Sequence, residues 1–272
     1  MKRISIVALI VLLCITAASA QRYHAGERLY YRVAYRAKMV PNIEMAEVEM
    51  KTSLGKLDGR PVYEVYGNGR TMPVFRWIFN LNDTYRTWVD TTSLRTLRFE
   101  SDLYEGGYTY RSNYHYNWPK RKVQTWAQSR NNTPRSKTMP LTDKSMDAVS
   151  LYFNLRSVEL DSFRTGDKAS HAPRLLEMVL DDTIRVLKYR YIDREVCKVP
   201  RLGEFRTLKF ACTIGTTEEF SFTDGSEFFI WISEDENKVP ILLESPIRVG
   251  SVRAYIREYE GLKYPMSSKV EK

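Results

Sequence analysis

The chain has 272 residues, 43% of them hydrophobic, and 42 basic against 33 acidic side chains give it a formal charge of +9. Length and apolar content suffice to bury a real core, which excludes a disordered chain. One apolar run, at the N-terminus, is too short to span a bilayer and no second one follows, which excludes a helical membrane protein.

That run belongs to an export signal. Lys2 and Arg3 precede an apolar stretch from Ile4 to Ile15, and Ala18-Ser19-Ala20 supplies a small-residue cleavage pattern before Gln21. The expected organisation is a cleaved signal at residues 1–20 and a β domain over 21–272, exported to the periplasm or beyond. Lipid attachment at Cys14 is disfavoured because Leu12 and Leu13 stand where such processing wants a small residue. Loss of Lys2 and Arg3 leaves a charge of +7, which suits anionic partners, although Lys and Arg on the wet faces of strands give a plainer account of it.

Period-two alternation then dominates. Leu29, Tyr31, Val33, Tyr35 and Ala37 point away from Arg32 and Arg36, and Ala46, Val48, Met50 and Leu54 point away from Glu47, Glu49 and Lys51. A turn at Asp58-Gly59 leads to a strand from Val62 to Gly69. The stretch Thr71 to Phe79 breaks the alternation with Val74, Phe75, Ile78 and Phe79, which predicts a short helix or crossing segment destined for the core. Strands follow at Asp83 to Asp90, Leu97 to Tyr104, Tyr108 to Asn117 and Val123 to Gln128, then a polar loop over 131–142. Asp147 caps a predicted helix running to Arg156, whose charge suits the C-terminal dipole. After Gly166 come strands at Glu177 to Leu180, Ile184 to Asp193, Glu195 to Val199, Phe205 to Thr213, Phe228 to Ser233, Ile241 to Ser245 and Ser251 to Tyr259. The pattern predicts an all-β fold, a strongly curved antiparallel sheet or partly open β-barrel with one short helix near mid-chain. That helix, near 142–166, could instead join two β halves.

Candidate chemistry is sparse. His24, His115 and His171 lack metal-ligand spacing, and no G-x-S-x-G, S-x-x-K or phosphate-loop pattern occurs. The acidic clusters Asp181-Asp182, Glu218-Glu219 and Glu234-Asp235-Glu236 read as solvated turns. No metal, cofactor or catalytic residue is assigned. Cys197 and Cys212 remain after signal removal, and a hairpin centred near Leu202 and Gly203 sets them about four residues out of register, roughly 13 Å apart at strand rise, so two buried thiols are expected. The most unusual segment interleaves Arg111, Lys120, Arg121 and Lys122 with Tyr114, Tyr116, Trp118 and Trp126, a mixture that can bind acidic sugars or nucleic acid, the latter disfavoured by export. The alternative puts the tyrosines in the core and the basic residues on a protruding hairpin.

The order of landmarks resembles the bacterial exported proteins grouped as domain of unknown function 3108. It begins at Gly26-Glu27-Arg28-Leu29-Tyr30-Tyr31 and continues through Asn82-Asp83-Thr84-Tyr85 and the run from Asp147 to Arg156. It is strongest from Ile230 to Pro240, followed by Gly250-Ser251-Val252. Within it Asp147, Ser150, Tyr152, Arg156, Trp231, Ser233, Asp235, Pro240 and Gly250 read as structural positions. Two departures, Met45-Ala46-Glu47 for a common glycine and Arg95-Thr96-Leu97 for a common proline, put a local bulge or turn in question and leave the fold intact. The resemblance implies a barrel-like or curved-sheet envelope protein and carries over no functional residues.

The leading expectation is a non-enzymatic periplasmic binding or carrier protein for an apolar, lipid-like or glycan ligand. An assembly scaffold using the basic hairpin is the alternative, and a hydrolase of envelope glycans or lipids ranks third. N-terminal sequencing of protein recovered from its own host should begin at Gln21, and Cys14→Ser should leave its location unchanged. A chain beginning at a lipidated Cys14 overturns the export reading.

Overall fold

The computed structural model describes residues 23–37, 40–130, 132–157, 159, 163, 171–180, 183–215 and 227–271. The signal segment, Asp181-Asp182 and Glu218-Glu219 lie outside them. The strands are β1 (Arg28–Ala37), β2 (Val40–Leu57), β3 (Arg60–Thr71), β4 (Asn82–Asp90), β5 (Thr96–Glu105), β6 (Tyr108–Asn117), β7 (Lys122–Ser129) and β8 (Arg135–Pro140). They continue with β9 (Ser145–Met146), β10 (Arg174–Leu180), β11 (Thr183–Val199), β12 (Gly203–Ile214), β13 (Phe228–Ser233), β14 (Pro240–Pro246) and β15 (Ser251–Glu260). A short helix, α1 (Leu151–Arg156), lies between β9 and β10.

All these strands form one sheet in the order β8-β7-β6-β5-β4-β3-β2-β1-β15-β14-β13-β12-β11-β10-β9. Neighbours are antiparallel except β9 and β10, which are parallel. The first and last strands pair at the middle of the sheet, Leu29 opposite Tyr259 and Tyr35 opposite Val252. The two edges, β8 and β9, are adjacent in sequence and share no ladder. Side chains bridge that seam: Val179 of β10 and Ile184 of β11 pack with Val123, Met139 and Leu141. The expected partly open barrel is thus observed, curled so that its hydrogen-bonded strip almost meets itself.

Several local expectations are corrected. β8 runs through the supposed polar loop, because its side chains, apart from Met139, face solvent and give no apolar alternation. Residues 184–199 form one strand, with a bulge between Tyr191 and Asp193 that breaks the visible period. Both departures from the family pattern fall on bulges: Met45 is skipped where Val33 faces Ala46 and Ala34 faces Glu44, and Leu97 where Trp88 faces Arg98 and Val89 faces Thr96. Leu54 is exposed although it shares its strand phase with the buried Thr52. Cys197 stands opposite Phe205 and Cys212 opposite Tyr189, a seven-residue offset rather than four. Both thiols are free and buried, and burial pushes their pKa values up to about 11 and about 12. Gly250 lies in the β14–β15 turn at φ +82°, where a Cβ would fall 2.2 Å from the Arg36 carbonyl oxygen. It permits a turn and a close approach.

The helix begins at Leu151, four residues after its expected cap, because residues 147–150 form a turn around the Asp147 carboxylate. Asp147 Oδ1 accepts the amides of Val149 and Ser150 at 2.8 and 2.9 Å, and Oδ2 accepts the hydroxyls of Thr87 and Thr96 at 2.9 and 2.7 Å. Ser150 Oγ accepts the Asp147 amide. This carboxylate therefore pins the helix start to the inner face of β4 and β5.

The helix end is pinned more firmly. Arg156 and Glu27 are both 1% exposed, with Arg156 Nη1 2.5 Å and Nη2 2.9 Å from the two carboxylate oxygens. Arg156 Nε donates to the Asn237 carbonyl at 2.7 Å, and the Tyr152 hydroxyl joins the pair by donating to Glu27. Arg156 is not a solvated dipole partner. Burial works against its charge, but Tyr152 and Glu27 outweigh that and hold its pKa above the usual arginine value.

Nor is the 233–238 turn a solvated acidic one. Asp235 is buried and accepts the Ser233 hydroxyl and the amides of Asn237, Lys238 and Ser268. Asn237 donates to the Tyr264 and Pro265 carbonyls, which fastens the C-terminal residues beneath the sheet.

Removing one member of a buried pair strands a charge and costs about 3–5 kcal/mol. Glu27→Ala and Arg156→Ala should each destabilise by that order in chemical denaturation. Glu27→Leu with Arg156→Met should cost less than the sum of its single substitutions. Single losses under about 1 kcal/mol would show that the pair does not hold the helix.

Candidate functional site

The antiparallel order gives the barrel two ends. At one end lie Glu27, α1, the 233–239 turn and the C-terminal residues, which together close it. At the other lie the β3–β4, β5–β6 and β14–β15 connections. Between them the interior holds a cavity of about 720 Å³. Its floor is Val149, Leu151, Tyr152 and Leu155, and its walls are Tyr31, Val33, Val48, Met50, Leu243, Val252 and Ala254.

Two glycines keep it empty. Gly67 and Gly69 sit on the inward phase of β3, facing Tyr85 and Asp83 across the ladder. A Cβ at Gly67 would find its nearest neighbour at 3.9 Å, and one at Gly69 would find Leu81 and Val48 at 3.8 Å. Side chains of ordinary strand size there would project into the space, so their absence makes volume rather than conformational freedom.

The mouth overturns one expectation. The β3–β4 connection is a 3-10 turn, Pro73–Phe75, followed by a hydrogen-bonded turn, and its apolar side chains are not in the core. Trp77 is 83% exposed, Val74 and Ile78 64% and Phe79 50%, while Phe75, Ile78 and Phe79 also line the cavity. Its ends are already fully engaged: Thr71 N bonds Leu81 O, Leu81 N bonds Thr71 Oγ1, Met72 N bonds Met45 O, and Gly106 N bonds Asn80 O. The segment must cap the barrel mouth as a loop, because Thr71 and Asn82 belong to strands that the sheet pairs directly.

Few polar side chains reach this space. Asp83 is one of them, buried, with Oδ1 accepting the Tyr104 amide at 3.1 Å. Burial lifts its pKa to about 6, the Tyr104 amide pulls against that, and the nearby Glu105 charge adds to it. Tyr31 donates to the Pro240 carbonyl at 3.0 Å, and burial raises its pKa.

The residues singled out in 111–126 do not form one surface, because alternate positions of a strand face opposite ways. Tyr114 and Tyr116 are buried inside the barrel, Tyr114 stacked on Phe99 at 4.9 Å. The Tyr116 hydroxyl has no hydrogen-bond partner among the described residues. Arg111 and Trp126 lie on the outer face. Trp118 donates to the Thr96 carbonyl at 2.7 Å beneath Arg95. Lys120, Arg121 and Lys122 are exposed at the β6–β7 turn, where Arg121 and Arg95 share Asp143. The arrangement fits a tyrosine face in the core and a basic turn outside.

An outer groove of about 890 Å³ does bring Arg111 and Trp126 together with His115, Glu100 and Asp102. Its carboxylates are already matched, Glu100 by Arg98 and Asn113 and Asp102 by Arg111. That is a cross-strand ladder of the kind that coats a wet sheet face. Among the described residues no group of three or more His, Cys, Asp and Glu could hold a metal ion.

The family model described as "Protein of unknown function (DUF3108)" matches residues 30–257. The chain belongs to that family. Its landmarks converge on the closed end of the barrel: Glu27 from the first, Asp147, Ser150, Tyr152 and Arg156 from the helix run, and Ser233, Asp235 and Pro240 from the strongest. No curated protein matches the sequence. Among solved structures, this DUF3108 chain is similar to a "Beta-barrel-like Protein of Domain of Unknown Function DUF1849 from Brucella abortus". That likeness has a TM-score of 0.54 and 8% identity over 88% of this chain and 99% of that one. It shows a shared barrel-like fold.

The raised pKa of Asp83 predicts a pH dependence. The folded state holds the proton more tightly than the unfolded one, so the stability gained from neutral Asp83 is complete below about pH 4. It is lost as pH rises to about 6. Asp83→Asn keeps an acceptor for the Tyr104 amide and cannot ionise. Thermal melts should find the variant more stable than wild type at pH 8 and equal to it near pH 4. The same difference at both pH values would contradict the assignment.

Proposed function

We propose that this protein is an exported, non-enzymatic carrier that holds an apolar or amphipathic molecule, lipid-like in its hydrophobic part, in the barrel interior. The observation that carries the reading is the cavity of about 720 Å³ walled by apolar side chains and left open by Gly67 and Gly69. Its size falls within the range of ordinary ligand sites. A dry apolar cavity of this size is costly in lost dispersion contacts, so a fold that builds one gains by filling it.

Export is proposed from the N-terminal sequence pattern, which supplies the compartment in which an apolar molecule needs a carrier through water. The polarity of the cavity favours an acyl or polyprenyl chain over a glycan. A glycan would need hydrogen-bonding groups on the walls, and most of those here already serve the fold. Tyr31 is engaged with Pro240, and Tyr152 with Glu27. No helix among the described residues is long and apolar enough to cross a membrane.

Native mass spectrometry of protein purified from its own host should show lipid-sized adducts, and the delipidated protein should bind cis-parinaric acid. Gly67→Leu with Gly69→Val should fold, since neither glycine has a positive φ, and should lower that affinity tenfold or more by occupying the space. Wild-type protein that carries no adduct and takes up no probe would overturn the carrier reading.

A further inference from the structure

The lip at the barrel mouth presents apolar side chains to solvent. Val74, Trp77, Ile78 and Phe79 are at least half exposed, four large apolar side chains within six consecutive residues. Scattered surface hydrophobes are ordinary, but a contiguous group with charged neighbours marks an interaction surface. The loop is also held in place, with Pro73 at its start, Ile78 N and Phe79 N bonded to Phe75 O at 3.0 and 3.1 Å, and Met72 N bonded to Met45 O at 2.8 Å. Its side chains are presented outward by a fixed backbone.

The surroundings distinguish the kinds of partner. Arg76 lies within the lip and Arg248 in the β14–β15 connection on the same rim. Both are exposed and make no ion pair among the described residues, the Arg76 Nε donating to the Thr71 carbonyl at 3.4 Å. Val249, beside Arg248, is exposed as well. Apolar tips flanked by guanidiniums without a carboxylate partner among the described residues are complementary to an anionic lipid surface, where the tips enter the acyl boundary and the cations meet headgroups. Tryptophan, with an apolar ring and one N–H, suits that boundary. The apolar surface is also continuous, since Phe75, Ile78 and Phe79 belong both to the lip and to the cavity lining.

We propose that the rim built from Val74, Trp77, Ile78 and Phe79 docks on an anionic lipid bilayer, with Arg76 and Arg248 against the headgroups and the cavity mouth turned to the membrane. This extends the carrier reading by giving the ligand a route that never crosses water. Docking itself needs only the lip, so the two can fail separately.

The test is co-sedimentation of the purified chain with vesicles of phosphatidylcholine alone and of phosphatidylcholine with phosphatidylglycerol. Wild type should bind the anionic vesicles more tightly, salt should weaken the binding, and Trp77 fluorescence should shift to the blue and be quenched by brominated acyl chains. Val74→Ser with Trp77→Ser should reduce partitioning tenfold or more, with an unchanged circular dichroism spectrum because these side chains are already largely in solvent. Arg76→Glu with Arg248→Glu should remove the preference for anionic lipid. The cavity-filling pair Gly67→Leu and Gly69→Val should still dock, while the Val74/Trp77 variant, whose residues lie outside the cavity lining, should still bind cis-parinaric acid in solution. Wild type that leaves vesicles untouched, as it would if the lip served a protein partner, overturns the proposal, and so does a lip variant that binds them as well as wild type.

Discussion

The buried pair between Glu27 and Arg156 is the constraint on which the rest of the barrel depends. A carboxylate and a guanidinium, each 1% exposed, are tolerated inside a protein only when both are fully engaged. Here they are, through two contacts with each other, the Tyr152 hydroxyl and the Asn237 carbonyl. Each partner comes from a different part of the chain: Glu27 from the start of the first strand, Tyr152 and Arg156 from the mid-chain helix, Asn237 from a late turn. The pair therefore unites segments 129 and 81 residues apart, and Asn237 passes the linkage on to the C-terminal residues. A network so demanding has few alternative arrangements, which is how buried polarity can give a large curved sheet one way to close.

Closing one end has a consequence at the other. Because the helix, with its Tyr152, Leu151 and Leu155 side chains, stops part-way into the barrel, the space above it must be filled by wall residues or left empty. β3 leaves it empty at Gly67 and Gly69, and the β3–β4 connection crosses the mouth with its larger side chains outward. Both choices reduce stability relative to a filled core, since cavity lining loses dispersion contacts and exposed Trp77 gains nothing in water. Such costs are expected at a site of use rather than in a purely structural layer.

Much of the fold could be read from the sequence, because the wet and dry faces of most strands alternate cleanly. The sequence-predicted strand from Phe228 to Ser233 has the bounds seen in the structure, and the Tyr114 and Tyr116 phase is inward. β8 escaped because an edge strand facing solvent on both phases carries no period. The destination of Thr71 to Phe79 was misread for a related reason: apolar residues without alternation suggest burial, and nothing local tells a core segment from an exposed lip. Arg156 was read as a partner of the helix dipole and Asp235 as part of a solvated turn, because charged residues are usually exposed. Their burial depends on partners such as Glu27 and Ser268 that only the three-dimensional structure brings near. The cavity itself could have been suspected from one signal, a Gly-x-Gly pair on the inward phase of a strand otherwise made of Val and Tyr.

The seam between β8 and β10 sits on the opposite side of the barrel from the cavity walls, and this placement follows from the chain order. β1 and β15 form the centre of the sheet, so the continuous ladder from β3 through β1 to β13 surrounds the cavity with paired backbone. The unpaired edges are left to mid-chain, where β8 is guarded by Arg135 and Lys137 and β9 is only two residues long. Side-chain packing among Met139, Leu141, Val179 and Ile184 closes that gap. Changing the girth of this barrel breaks apolar contacts at the seam before it breaks any ladder hydrogen bond. The wall around the cavity is thereby the continuously paired part of the ring, and the break in the ladder lies away from it.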